Sequence, residues 1–214
     1  MAVVLITGFE PFGGESVNPS GQVAQALDGH VIGGARVAGR VLPCAFDDAI
    51  GALDAALDEL QPSLVLALGQ AAGRCEVSFE RVAVNLVDAR IPDNRGDQPV
   101  DEPVLPGAPA ALFTSLPVKA MARALREHGI PAGLSLSAGS FVCNALFFAL
   151  MHRLATRRGV RGGFVHLPLL PEQAARQPGA ACLPLQLMVE GVRVATETAL
   201  AVHADLAVPG GTLA

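Results

Sequence analysis

The sequence predicts an α/β fold in which helices cover both faces of a twisted, largely parallel sheet. Short apolar runs rich in branched residues alternate with longer segments whose apolar residues recur every three or four positions, a pattern typical of alternating strands and helices. The 214 residues contain no internal repeat and no linker, and 51% of them are hydrophobic while 16% are charged. This composition supplies one large core. We therefore expect a single domain over residues 1–214.

The first half of the chain predicts three strands and two helices. The strands are short apolar runs, as expected for strands buried on both faces. The first helix begins at a proline or the serine after it, because proline is favoured in the first turn. The second helix has apolar residues at three- and four-residue spacing and aspartates on its other face. In chain order, the elements are a strand over 2–6, a helix from 19 or 20 to 27, a strand over 37–42, a helix over 46–60 and a strand over 64–68.

The second half begins with an alternating stretch over 77–86 whose two ends are out of phase, which predicts a bend near Glu80 and Arg81. The stretch over 88–111 is dense in Pro, Gly and Asp and is predicted to be a loop of a length that is often functional. The remaining segments alternate between helical and strand patterns. In chain order, they are a helix over 117–128, a strand over 134–137, a helix over 141–156, a strand over 163–167 and a helix over 185–206.

Composition excludes several classes of partner. The net charge of −5 disfavours nucleic acids and acidic membranes as partners. The longest apolar runs are well short of the ~20 residues that span a bilayer. The first nine residues lack a basic region and a small-residue cleavage site, so we expect a cytoplasmic protein. The four cysteines lie far apart without a CxxC pair, which predicts free thiols and no metal site.

Cys143 is the residue with the clearest chemical potential. A predicted strand leads into a glycine-containing turn, and Cys143 falls in the first turn of the following helix. Unpaired N–H groups and the helix dipole favour a thiolate there and could stabilise an oxyanion. In open α/β sheets, ligands bind at the carboxyl ends of strands, where we expect this turn. Cys143 is a candidate nucleophile, although a buried structural cysteine fits the same pattern.

A thiol hydrolase also needs a general base, and the histidines differ in how well they fit that role. His152 lies nine positions after Cys143 on one predicted helix, about 13 Å away and on the opposite side. His128 precedes a helix-ending glycine, where a cation suits the dipole. His166 follows a predicted strand, at the edge where Cys143 is expected. His166 is the better candidate, although a buried core histidine is equally compatible with the pattern.

Several carboxylates could orient the imidazole. The candidates are Glu76, Glu80, Asp88, Asp93 and Asp97. Glu80 lies at the predicted bend, where an inward carboxylate would need a partner, but a solvated glutamate is the alternative. Arg90 could supply positive charge, and a surface arginine is the more common case. Phe9 and Phe12, in a glycine-rich loop after the first strand, suit a small apolar ring or simple core packing.

Six segments, in order along the chain, resemble the pyroglutamyl-peptidase I (pyrrolidone-carboxylate peptidase) family of cysteine peptidases. Together they are far more specific than any one of them alone. The C-terminal tail is similar only loosely. The segments are TGFEPFGG with VNPS (7–20), LGQAAGR (68–74), SFERVAVNL (78–86), ARIPDNRGDQP (89–99), SAGSFVCN (137–144) and GGFVHLPLLPEQ (162–173).

The resemblance implies functional residues at matching positions. It implies a catalytic triad of Cys143, His166 and Glu80, and it places Arg90 near the oxyanion, held by Asn18. It further implies an α/β/α sandwich with a mixed sheet, a cytosolic homotetramer, and no cofactor or metal. The substrate-binding residues that it implies are Phe9, Phe12, Gln70, Phe141 and Val142.

One position departs from the family pattern. Cys44 lies in LPCAF, where family members often carry another small residue near the rim of the pocket. If that position lines the site, the protein has a second thiol beside the substrate.

The implied reaction is acyl transfer from peptides that carry an N-terminal pyroglutamate. His166 takes the thiol proton, Cys143 attacks the carbonyl that follows the pyroglutamyl ring, and water hydrolyses the thioester. Two alternatives stay open. One is a thiol amidohydrolase acting on another small amide, since fold alone does not select a substrate. The other is a non-catalytic binder of small molecules.

Overall fold

The computed structural model describes residues 1–211, and nine strands lie within this range. Most of them match the predicted runs, and two short strands, β2 and β7, have no counterpart in the prediction. The strands are β1 (Val3–Phe9), β2 (Val31–Ile32), β3 (Ala35–Leu42), β4 (Leu64–Gln70), β5 (Val77–Glu80), β6 (Val82–Val84), β7 (Ala111–Phe113), β8 (Ala132–Ser135) and β9 (Arg161–Leu167).

Six helices lie in the same range. The four-residue helix α5 was not predicted, and α6 ends five residues earlier than the periodicity indicated. The helices are α1 (Pro19–Leu27), α2 (Phe46–Leu60), α3 (Val118–Glu127), α4 (Val142–Leu154), α5 (Pro171–Ala174) and α6 (Leu185–Ala201). None of the helices in residues 1–211 is both long enough and apolar enough to cross a bilayer.

Seven strands form one sheet with the order β2-β3-β1-β4-β9-β5-β8. Strands β3, β1, β4 and β9 are parallel to one another. Strand β2 is antiparallel to β3, and β5 is antiparallel to β9 while pairing in parallel with β8. The largely parallel, mixed sheet is therefore confirmed. Strands β6 and β7 form a separate antiparallel pair, and the bend predicted near Glu80 and Arg81 is the break between β5 and β6.

The direction of β8 corrects one step of the sequence argument. We expected the turn before Cys143 to lie at the same sheet edge as the end of the strand that carries His166. Because β8 and β9 run in opposite directions, their carboxyl ends point to opposite edges. Residues 136–141 carry the chain from the end of β8 to the start of α4. This return segment, and not a shared strand direction, brings Cys143 towards His166.

Helices cover both faces of the sheet, because successive residues of its central strands point to opposite sides. On β1, Val4 and Ile6 pack into one core cluster with α1, α3 and α6, while Leu5 packs into the other with α2 and α4. Strand β4 alternates in the same way. This double burial explains why both strands are continuous apolar runs. The single-domain assignment over residues 1–214 stays a prediction, and residues 212–214 lie outside the described range.

Candidate active site

Cys143 is the second residue of α4, which follows the extended residue Phe141. Its predicted place in the first turn of a helix is confirmed. Backbone N–H groups in the first turn have no partner within the helix, so they are available to a developing negative charge. The start of α4 therefore combines a thiol with backbone donors.

A glycine lets the sulfur lie against the sheet. Gly69 of β4 pairs with His166 of β9, and a Cβ built on Gly69 would lie 2.8 Å from Sγ of Cys143 and 2.8 Å from the ring of Phe164. Real Cβ atoms do not approach their neighbours so closely. The absence of a side chain at Gly69 therefore allows the thiol to sit beside the strand that carries His166.

Cys143 and His166 line one open cavity of about 420 Å³. The volume is in the range of small-molecule sites. The cavity lies where β4 and β9 end, and its wall combines aromatic, polar and reactive side chains. These include Phe12, Gln70, Arg74, Phe141, Cys143 and His166.

Glu80 and His166 form a buried hydrogen-bonded pair. Nδ1 of His166 lies 2.8 Å from Oε1 of Glu80, and both side chains are buried. Because Ser78 pairs with His166 across β5 and β9, Glu80 is two residues along and points to the same face. With Nδ1–H donated to the carboxylate, Nε2 is the ring nitrogen that can accept a proton. The residue pattern alone left five carboxylates open for this contact, the family resemblance chose Glu80, and Glu80 is the one that makes it.

Cys143 and His166 share the cavity without touching through a hydrogen bond. Within residues 1–211, the hydrogen bonds include none between the Cys143 thiol and the imidazole. Catalytic hydrogen bonds are often long before substrate binds. Of the two contacts expected in the triad, the structure forms the one between His166 and Glu80.

Arg74 is a site residue for which the sequence predicted no role, although it lies in the segment LGQAAGR that resembles the family. Its guanidinium donates to Oε1 of Glu80 at 3.4 Å, to Oγ of Ser135 at 3.0 Å and to the carbonyl of Ser137 at 3.2 Å. It thereby links the carboxylate to the segment that leads to Cys143. The amino-acid sequence contains no signal for this role, because the hydrogen-bond partners of Arg74 come from distant stretches of chain.

Asn144, the residue after Cys143, was also missed. Its buried side chain accepts a hydrogen bond from Val84 N at 3.0 Å and donates to the carbonyls of Val84 and Leu86, both at 2.9 Å. These three bonds use most of the capacity of the amide. They tie the start of α4 to the segment that follows Glu80.

Burial has the largest effect on the pKa of the candidate nucleophile. Desolvation raises the pKa of the Cys143 thiol well above its ordinary value, and the charges of Cys44 and Glu80 raise it further. The backbone N–H of Cys143 lowers the pKa but does not reverse the shift. The backbone donor at the helix start thus favours the thiolate, as expected, but desolvation has the larger effect on the pKa.

Cys44 is a buried thiol near this site. Burial, followed by the charges of Glu10 and Asp93, raises its pKa to about 12. A negative charge on Cys44 would raise the pKa of Cys143 further, but Cys44 is not among the residues that line the cavity. Cys44 is therefore a protonated neighbour of the nucleophile and not part of the cavity wall.

Aromatic side chains form one wall of the cavity. The rings of Phe12 and Phe141 lie 6.0 Å apart between centroids, and the edge of Phe46 packs against Phe141 at 5.3 Å. Behind the cavity wall, the buried ring of Phe164 packs against His166 with centroids 5.0 Å apart. Two residues predicted to bind substrate, Phe12 and Phe141, thus line the same cavity as Cys143 and His166.

Two other residues predicted to bind substrate lie elsewhere. Phe9 and Val142 are buried in the core cluster under α2 and α4, and neither belongs to the wall of the Cys143 cavity. Phe9 instead lines a separate cavity of about 190 Å³. Their substrate-binding roles therefore stay predictions, and the residues that line the cavity in this structure are their neighbours Phe12, Phe141 and Cys143.

The expected contact between Asn18 and Arg90 is not formed among the described residues. Asn18 caps α1 by accepting from Ser20 N at 3.0 Å, and its amide donates to the carbonyl of Glu10 at 3.0 Å. Arg90 is exposed and lies outside the cavity wall. Its segment does reach the site, since the backbone of Asp88 pairs with that of Ser140 at 3.0 Å.

A second buried carboxylate orders the loop that carries Arg90. Oδ2 of Asp93 accepts from Phe46 N at 2.9 Å, and Oδ1 accepts from Arg95 N at 2.8 Å and Asp97 N at 3.0 Å. Burial by itself would raise the pKa of Asp93, but these backbone donors lower it below its ordinary value. Asp93 therefore holds the loop as a carboxylate.

Comparisons with known proteins agree along the whole chain. The family model described as pyroglutamyl peptidase matches residues 2–202. The pyrrolidone-carboxylate peptidase of Escherichia fergusonii is 54% identical over 99% of this chain and 99% of its own length. That of Cupriavidus taiwanensis is 53% identical over the full length of both chains.

Solved structures of similar proteins have the same fold. The crystal structure of pyroglutamyl peptidase I from Bacillus amyloliquefaciens superposes with a TM-score of 0.95 at 41% identity, over 97% of this chain and 99% of that one. A mutant pyrrolidone carboxyl peptidase from Pyrococcus furiosus gives a TM-score of 0.90 at 45% identity, over 93% and 98% of the two chains. This chain therefore belongs to the pyroglutamyl peptidase family, cysteine-type peptidases that remove pyroglutamate from the N-termini of peptides.

Proposed function

We propose that this chain removes N-terminal pyroglutamate from peptides with Cys143 as nucleophile, His166 as general base and Glu80 as the group that orients the imidazole. The observation that carries the assignment is the 2.8 Å bond between Nδ1 of His166 and the buried carboxylate of Glu80. It lies beside the cavity that the thiol of Cys143 also lines. Few reactions other than acyl transfer use a thiol, an imidazole and a buried carboxylate in this arrangement.

The raised pKa of Cys143 makes the base essential. Because burial raises the pKa of the thiol, the nucleophile forms when Nε2 of His166 takes its proton. Glu80 stabilises the resulting imidazolium. The thiolate attacks the carbonyl between pyroglutamate and the next residue, the imidazolium protonates the leaving amine, and water hydrolyses the thioester.

Backbone and side-chain donors would stabilise the oxyanion. The N–H of Cys143 lies in the first turn of α4, a common location for such a donor. Arg90 joins it only if its exposed side chain turns towards the cavity when substrate binds. Asn18 supports this part of the site indirectly, by capping α1 and holding the backbone of Glu10.

The cavity suits a neutral lactam ring. Pyroglutamate has no free amine, so the site needs no carboxylate to meet an ammonium group. Phe12 and Phe141 offer apolar walls, and Gln70 offers an amide at the end of β4. A site that hydrogen-bonds the ring carbonyl should reject proline, which lacks it, by a factor of about 10² or more.

We also propose that the protein works as a cytoplasmic homotetramer that needs no cofactor or metal. The four cysteines, at positions 44, 75, 143 and 182, are free thiols, as is usual in a reducing compartment. Val100, Phe113 and Leu136 are more than half exposed, and large apolar side chains of this kind are often covered by subunits. Light scattering in solution tests the assembly: a mass near four times 21.9 kDa supports it, and the mass of one chain contradicts it.

Release of a fluorophore from a pyroglutamyl amide tests the central proposal. Wild type should release it, and Cys143→Ser should lose at least about 10³-fold in kcat. Cys75→Ser, which changes an exposed thiol, is the matched control and should keep full activity. A panel of other small amides separates this activity from that of a different amidohydrolase. Equal turnover of pyroglutamyl and prolyl amides would contradict the assignment.

A further inference from the structure

Gln173 is a fully buried polar residue that the mechanism above does not use. It lies in α5, outside the wall of the Cys143 cavity. Its Nε2 is 2.9 Å from Oε1 of Gln70, a residue that does line the cavity. The buried amide therefore touches the substrate site through one intermediate side chain.

Backbone groups determine which way the Gln173 amide points. Leu170 N–H can only donate, and it lies 3.0 Å from Oε1 of Gln173. The carbonyl of Val17 can only accept, and it lies 3.3 Å from Nε2 of the same side chain. Reversing the amide would set donor against donor and acceptor against acceptor. The orientation of the Gln173 amide is thus fixed by two backbone groups, one of which can only donate and the other only accept.

This orientation sets that of Gln70 in turn. Since Nε2 of Gln173 is a donor, the atom of Gln70 that faces it at 2.9 Å must be the carbonyl oxygen. The other terminal atom of Gln70 is then its NH₂ group. Gln70 is partly exposed at the end of β4, so this group is left to meet a ligand in the cavity.

We propose that Gln173 is a positioning residue for substrate specificity: it turns the NH₂ group of Gln70 towards the cavity, where it donates to the ring carbonyl of the pyroglutamyl lactam. The inference rests on the proposed function and names the atom by which the enzyme would select a substrate with a lactam ring. A ring without that carbonyl leaves the donor unpaired, which is costly in a partly buried site.

Replacing Gln173 by Glu tests the orientation. The introduced carboxylate still accepts from Leu170 N–H, but its second oxygen faces two acceptors, the carbonyl of Val17 and Oε1 of Gln70. The backbone carbonyl cannot become a donor, so Gln70 must reverse its amide and present oxygen to the lactam carbonyl. We expect KM for a pyroglutamyl fluorogenic amide to rise about 10- to 100-fold, with kcat within about threefold of wild type. Inhibition by 2-pyrrolidinone, the bare lactam ring, should weaken by a similar factor.

The pH dependence of KM in Gln173→Glu distinguishes a change in hydrogen bonding from a loss of packing. A buried carboxyl has a raised pKa, and once protonated it can donate to Oε1 of Gln70 as the native amide does. The KM defect of Gln173→Glu, relative to wild type at each pH, should therefore shrink between about pH 8 and about pH 6. Gln173→Met cannot titrate, so its smaller KM defect should not change over this range.

Two further variants complete the test. Gln25→Glu makes the same chemical change at an exposed position of α1 and should leave KM unchanged. Gln70→Leu removes the donor itself and should raise KM like Gln173→Glu at high pH, even if Gln173→Glu folds poorly. If wild type cleaves the substrate while folded Gln173 variants and Gln70→Leu keep KM within twofold, the inference is overturned. If wild type does not cleave it, the proposed function fails instead.

Discussion

Glu80 and Asp93 are both buried carboxylates, with exposures of 0% and 7%, yet they bond to different kinds of group. Oε1 of Glu80 accepts from the ring of His166 and from Arg74, and its Oε2 has no hydrogen-bond partner within the described residues. Both oxygens of Asp93 accept from backbone N–H groups of its own loop and of α2.

The difference separates a chemical role from a structural one. Backbone N–H groups do not titrate, so a carboxylate that they surround can only hold the chain in place. An imidazole can gain and lose a proton, so the carboxylate beside it can orient a group that takes part in proton transfer. Both residues were candidates for the same role in the sequence, and their partners, not their burial, distinguish them.

The largest expected effect in this comparison is the loss of activity in Glu80→Gln. A neutral amide neither stabilises the imidazolium nor holds one tautomer, so we expect kcat to fall about 10³-fold. Hydrolysis of a pyroglutamyl fluorogenic amide measures it. Glu76→Gln, in a neighbouring carboxylate outside the cavity wall, is the control and should stay near wild type. Wild-type kcat in Glu80→Gln would remove the distinction between the two buried carboxylates.

A second prediction concerns how Cys143 acquires its charge. Because burial raises the pKa of the thiol, His166→Ala should slow alkylation of Cys143 by iodoacetamide near neutral pH by at least about 10-fold. Asp93→Asn should leave this rate unchanged, because Asp93 has no contact with the imidazole.

Mass spectrometry resolves the rate for each cysteine. Cys75 is exposed and should react first, whereas Cys44, with a pKa raised to about 12, should react very slowly. Equal alkylation of Cys143 with and without His166 would show that the helix start alone generates the thiolate.

Asp93→Asn should reduce stability and spare catalysis. The carboxylate accepts three hydrogen bonds from backbone N–H groups, and an amide cannot reproduce all of them, so we expect a loss of about 2 kcal/mol in the free energy of unfolding. Urea denaturation measures the loss, and kcat of the folded variant should stay within about threefold of wild type.

The sign of the pH dependence follows from the lowered pKa of Asp93. Its contribution is complete above the pKa of the unfolded chain, about 3.9, and is lost as pH falls through the lower pKa of the folded state. The stability difference between wild type and Asp93→Asn should therefore shrink in acid. A difference that grows below about pH 4 would contradict the role of the charged form.

The smallest of these effects is expected for Arg90→Ala. Arg90 is exposed in the loop that Asp93 orders, so it contributes only if it turns towards the oxyanion, and we expect kcat to fall about 10-fold with KM little changed. Arg158→Ala changes another exposed arginine that does not line the Cys143 cavity and serves as the control. An unchanged kcat in Arg90→Ala would show that Arg90 does not contribute to catalysis, which would leave Arg74 as the arginine at the site.

Local patterns in the sequence were sufficient for most secondary structure. The helix over 46–60 was predicted with the bounds that the structure has, because its apolar spacing reports which face is buried. The break between β5 and β6 followed from two alternating stretches out of phase. The length of α6 was overestimated, because an apolar pattern continues past the point where the hydrogen-bonded helix ends.

The sequence by itself determined the alternation of strands and helices, the thiol at the start of α4 and, through six matching segments, the family and its reaction. Only the tertiary structure decided that β8 runs against β9, that Oε1 of Glu80 bonds to Nδ1 of His166, and that Arg74 and Gln173 contact site residues. The physical reason is the distance along the chain between the residues that interact. Periodicity and helix capping involve residues a few positions apart, whereas Glu80 and His166 are 86 residues apart and Gln70 and Gln173 are 103 apart, and only packing brings such pairs together.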